Sequence, residues 1–64
     1  MAKYLIQEYN KEMTVLINQY DVEQNNEPAA VVEAYNLAQN ADVVVLWRRS
    51  ILDKTRLTKI AKFY

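Results

Sequence analysis

Glycine, cysteine and histidine are all absent from this 64-residue chain. Each absence removes a class of chemistry. Phosphate-cradling loops, dinucleotide-binding turns and nucleophile elbows need glycine where the backbone must approach a ligand closely. Any residue required at positive φ is then expected to be an asparagine, with Asn25, Asn26 and Asn40 as candidates. Lack of cysteine excludes disulfides, and lack of histidine as well excludes the common zinc sites. The usual general bases and activated nucleophiles are missing too. The chain is therefore read as a non-enzyme, with no catalytic residue, no cofactor, no metal and no small-molecule substrate. Glu8 and Glu12 stand four apart, one helical turn. A helical di-metal site would add a histidine, so that pair reads as a solvated face.

Net charge is also lacking, since eight acidic residues balance eight basic ones. There is no overall pull toward nucleic acid or an anionic membrane. No apolar run approaches the roughly 20 residues of a spanning helix. The start, Met1-Ala2-Lys3-Tyr4, runs into an amphipathic pattern and does not read as a secretory signal. A cytoplasmic location and no membrane span are the expectation.

What remains is a composition 52% hydrophobic and 25% charged, which suits a folded chain better than a disordered one. A domain this small is marginal alone. With disulfides and metals excluded, regular packing and self-association are left to stabilise it, so a homo-oligomer is expected.

The apolar pattern predicts an all-α domain of three helices, or four if the last one breaks. Leu5, Ile6, Tyr9, Met13, Leu16, Ile17 and Tyr20 form one stripe if residues 3–20 are helical. The rival is a hairpin from Tyr4-Leu5-Ile6 to Val15-Leu16-Ile17 turning near Asn10-Lys11. Asn25-Asn26-Glu27-Pro28 is a helix-start signal. It predicts a second helix over 28–39, apolar around most of its girth and with Ala30, Ala34 and Ala38 open to close approach by another helix. Val43-Val44-Val45 favours a strand by propensity. Continued as a helix over 43–63, however, the segment gathers Val43, Val44, Leu46, Trp47, Ile51, Leu57, Ala61 and Tyr64 on one side. Arg48, Arg49, Arg56 and Lys59 gather on the other. A break near Asp53 would be flanked by Leu52 and Leu57 as a hydrophobic staple. Trp47 is expected to be buried against the first two helices.

Charge is partitioned along the chain. Six of the eight cations (Arg48, Arg49, Lys54, Arg56, Lys59 and Lys62) follow residue 47, while seven of the eight acids precede residue 43. The face Arg48, Arg49, Arg56, Lys59 is the candidate macromolecule-binding site, with Ser50, Thr55 and Thr58 able to touch phosphates. Two plainer readings compete: a solubilising face, or one that pairs with the acidic half within or between chains. Two helix-turn-helix registers match only weakly: one has Gln39 where the turn wants an apolar residue and carries Asp42, Val45 and Leu46 on the recognition face, and in the other, Leu57–Tyr64, no recognition helix follows. A basic amphipathic segment on an anionic membrane is a further reading, but a folded core competes for its apolar residues. Tyr4, Val45, Leu52 and Phe63 fall off the main stripes and are the candidate protein-contact residues. The expectation is a small non-catalytic interaction or regulatory protein that binds a protein partner and itself, with nucleic-acid binding through the basic face as the alternative.

Overall fold

A computed structural model describes residues 1–53 and 55–64, so Lys54 lies outside the described residues. The chain is not a helical bundle. It folds as β1 (Ala2–Tyr9), β2 (Leu16–Gln24), α1 (Glu27–Ala38), β3 (Val43–Arg49) and β4 (Leu57–Phe63). The four strands form one antiparallel sheet in the order β2-β1-β3-β4, with β2 and β4 at its edges.

The first expected helix is instead a hairpin, as in the rival reading, but Tyr4, Leu5 and Ile6 pair with Val22, Asp21 and Tyr20 rather than with Val15-Leu16-Ile17. Its turn works without glycine. The Asn10 carboxamide oxygen accepts from the backbone N–H of Thr14 (2.8 Å) and Val15 (2.9 Å). Asn10 Nδ2 donates to Thr14 Oγ1 at 2.8 Å. Those bonds hold Met13 at φ 58, the one positive φ among the described residues. No asparagine takes that conformation; an asparagine supports a methionine in it. Methionine is unbranched at Cβ, so the left-handed region costs it less than it would a valine or isoleucine. Glu12 lies in this turn while Glu8 lies in β1, so the two glutamates are not one helical turn apart.

The helix forms close to where its start signal lies. Asn26 is the N-cap, its side-chain oxygen accepting from Ala29 N at 2.9 Å, with Glu27 and Pro28 in the first turn. Its alanines seat it on a sheet rather than on another helix. Ala30 and Ala34 are fully buried against Tyr4, Ile6, Val44 and Leu46. The helix is not buried all round, because Val32 and Tyr35 are more than half exposed.

The third expected helix is two strands joined by residues 50–56. Strand alternation sends Tyr4, Ile6, Val44 and Leu46 to the helix-covered face. It sends Leu5, Val43, Val45 and Trp47 to the other, which no described element covers. One row crosses that open face as Asp21, Leu5, Trp47 and Lys59. Trp47 is thus half-buried on an open sheet face rather than buried between helices.

Two of the candidate protein-contact residues are core. Tyr4 and Val45 are each 2% exposed, because β1 and β3 are the central strands. Phe63 is half-buried and meets Tyr35 edge-on, with ring centroids 5.9 Å apart. Only Leu52 of the four is fully open, at 98%.

Candidate interaction site at the β3–β4 tip

Arg48 and Arg49 are neighbours in β3, so their side chains leave the sheet on opposite faces. They do not share the single face that a helix would have given them. The strand ends immediately after them, however, and the connection curls back into β4. Arg48, Arg49, Arg56 and Lys59 all line one depression of about 660 Å³ at this end of the sheet, together with Ser50 and Thr58. The basic cluster read from the sequence is therefore assembled, by a strand-turn-strand path.

The path is held by short side chains. Ser50 Oγ accepts from Leu52 N and Asp53 N, both at 3.2 Å. Asp53 Oδ1 accepts from Thr55 N (3.0 Å) and Thr55 Oγ1 (2.6 Å). The ends are joined by Ser50 N to Arg56 O and Arg56 N to Asp53 O, each 3.0 Å. The Thr55 hydrogen bonds hold the Asp53 carboxyl below the usual carboxylate range. A depressed carboxyl pKa adds stability that is present above the unfolded value and is lost as pH falls through the folded one. The Thr55 bonds to Asp53 thus contribute at neutral pH, and that contribution is lost in acid.

That order serves no burial. Ile51 is 81% exposed and Leu52 98% exposed, the two apolar side chains at the turn's outer end. Sequence reasoning placed Ile51 on the buried stripe and so missed it. The signal was its position between Ser50 and Asp53, two residues that stabilise turns through their own side chains.

Cations surround this apolar pair. Among the described residues, Arg48, Arg56 and Lys59 have no carboxylate partner within ion-pair distance. Arg49 does: its Nη2 lies 2.9 Å from Asp21 Oδ1, with the arginine side chain 25% exposed and the aspartate 74%. The pairing of the basic region with the acidic half is thus realised at one point. An exposed pair of this kind contributes less than about 1 kcal/mol. Glu27 is the acidic residue that lines the depression, so the rim is strongly cationic.

Among the described residues no group of three carboxylates is placed to hold a metal ion. No helix among them is long and apolar enough to cross a membrane. Neither a protein-family model, nor a curated protein, nor a solved structure matches this chain.

Proposed function

We propose that this protein is a small non-catalytic binding protein that docks a protein partner through the β3–β4 tip. The observation that carries the reading is the pairing of turn residues hydrogen-bonded by the Ser50 and Asp53 side chains with two almost fully exposed aliphatic side chains, Ile51 and Leu52. Exposing such residues forgoes about 1.5–3 kcal/mol each that burial would contribute. A partner that covers them recovers it. The surrounding Arg48, Arg56 and Lys59 supply a charged rim around an apolar centre, the common anatomy of a protein interface. Because the rim is cationic, the complementary surface is apolar with an acidic border.

Nucleic-acid binding is the second reading, supported by the three cations with Ser50 and Thr58 around one depression. Against it stand the zero net charge and the apolar residues at the centre of the site.

One experiment separates the two. The purified protein is titrated at low salt against mixed-sequence duplex and single-stranded DNA and RNA, and is also used as nuclease-treated bait. The expected result is no nucleic-acid binding, together with a captured protein that is lost from Leu52→Ser and Arg56→Glu. Phosphate recognition would instead give binding that falls steeply with salt, with a slope that drops by about one unit in Arg56→Ala. Capture that survives both tip substitutions would remove the tip as the docking site.

A further inference from the structure

The two edges of the sheet differ. β4 carries Lys59 and Lys62, and its ladder with β3 is interrupted near mid-strand by a register shift at Leu46/Trp47. Lysines and bulges are the devices by which edge strands avoid pairing with another chain. β2 is longer, nine residues, and contains no lysine, arginine or proline. Its register shift lies at the strand's start, opposite Glu8/Tyr9, and the ladder is regular from Asn18 to Gln24. Apolar side chains are exposed along it: Leu16 at 45%, Ile17 at 54% and Tyr20 at 37%, with Val15 at 55% just before.

We propose that β2 pairs antiparallel with β2 of a second copy of this chain, the two sheets joining into one of eight strands. The surface is distinct from the β3–β4 tip, and the inference does not depend on the role proposed for the tip. An isologous edge pair closes on itself, uses the unprotected edge of both copies and leaves only the lysine-bearing edges free.

Strand overlap and charge together select the register. Centring the pair on Tyr20 overlaps all nine residues of β2. It sets Gln19 opposite the partner's Asp21 and Ile17 opposite the partner's Glu23, so no like charges face each other. Tyr20 then meets the partner's Tyr20, an aromatic cross-strand pair. Moving the centre one residue sets Asp21 against the partner's Asp21. Moving it two sets Asp21 against the partner's Glu23 and the reciprocal pair likewise. Both put carboxylates directly opposite one another, which is destabilising; moving the centre the other way, to Gln19 or Asn18, leaves only residues 16–22 or 16–20 of β2 overlapping.

Gln19 tests this without touching the core, because it is exposed and its side-chain oxygen accepts from Gln7 Nε2 at 3.0 Å on the open face. Gln19→Glu sets a carboxylate against the partner's Asp21 at two symmetric places. Gln19→Lys sets an ammonium there. Sedimentation velocity of the full chain over a concentration series is expected to show a dimer. Its Kd should rise in Gln19→Glu and fall in Gln19→Lys, separated by on the order of tenfold. Ile17→Asp, which sets a carboxylate against the partner's Glu23 at two symmetric places, should give a chain still folded by circular dichroism but monomeric. Three results would overturn the proposal: a monomer at every concentration, equal dimer Kd values for the two Gln19 variants, or open-ended growth. The last would indicate pairing of β2 with the lysine-bearing β4 of the next copy.

Discussion

The two faces of the sheet bury their residues by different means. On one face, Ile6, Val44 and Leu46 are fully buried and Tyr4 nearly so, because α1 lies across them. On the other, Leu5, Val43 and Val45 are only 2–3% exposed although no described element lies over them. Their cover comes from side chains on the same face. Gln7 organises these: its Oε1 accepts from Trp47 Nε1 at 2.7 Å and from the Tyr9 hydroxyl at 3.0 Å, while its Nε2 reaches Gln19. A helix is a rigid lid. A clamp of one amide and two aromatic rings is a thinner one, open to solvent on its outer side.

Substitutions should rank accordingly. Leu46→Ala empties a fully buried site beneath the helix and should cost about 2–5 kcal/mol. A domain of this size holds little more than that in reserve. The expected result is a largely unfolded chain at 25 °C by far-UV circular dichroism. Trp47→Ala acts on the thinner lid. The ring is partly exposed, so its loss should cost about 1–3 kcal/mol, less than the removal of a fully buried large aromatic. The variant should stay folded and bind a hydrophobic dye as Leu5 and Val45 become accessible. Denaturant midpoints measure both. Equal losses would mean that the open face is a core of the same standing as the helix face.

This two-sidedness also explains what could be read from the sequence and what could not. A strand with one wet face alternates, and alternation is the signal for a strand. Val43-Val44-Val45-Leu46 is buried at four successive positions because β3 is central and both its faces are covered. Such a strand reads as a continuous apolar run. Tyr4-Leu5-Ile6 in β1 is the same case. With period two erased, chance spacings such as Leu5, Tyr9, Met13, Leu16 and Tyr20 resembled a helical stripe. The valine propensity pointed the right way, and the continuation through Arg48-Arg49 outweighed it wrongly. Signals that act over a few residues survived. Asn26 caps the helix, and Asp53 lies in the break between Val43–Arg49 and Leu57–Phe63. The basic cluster was legible because Arg48, Arg49, Arg56 and Lys59 flank one turn and meet there whether the flanks are helix or strand. Burial of Tyr4 and Val45 was not legible, since it depends on which strands are central, a long-range property of the sheet.

The smallest expected effect tests the clamp itself. Gln7→Leu preserves side-chain bulk and removes the acceptor shared by Trp47 and Tyr9. The freed N–H and O–H are only part-buried and can turn to water, so the penalty is that of ordinary hydrogen bonds, about 0.5–1.5 kcal/mol, less whatever the leucine returns by apolar contact. Gln7→Glu keeps an oxygen acceptor in place, losing only the Nε2 bond to Gln19, and should hold both rings. Trp47 is the single tryptophan, so its fluorescence reports the clamp directly. The expected outcome is a red-shifted emission and a slightly lower denaturation midpoint in Gln7→Leu, with Gln7→Glu close to the parent chain. If Gln7→Leu leaves the emission unchanged and raises the midpoint, apolar packing alone holds the open face. The two faces would then differ only in which element supplies the cover, the helix on one side and the aromatic side chains on the other.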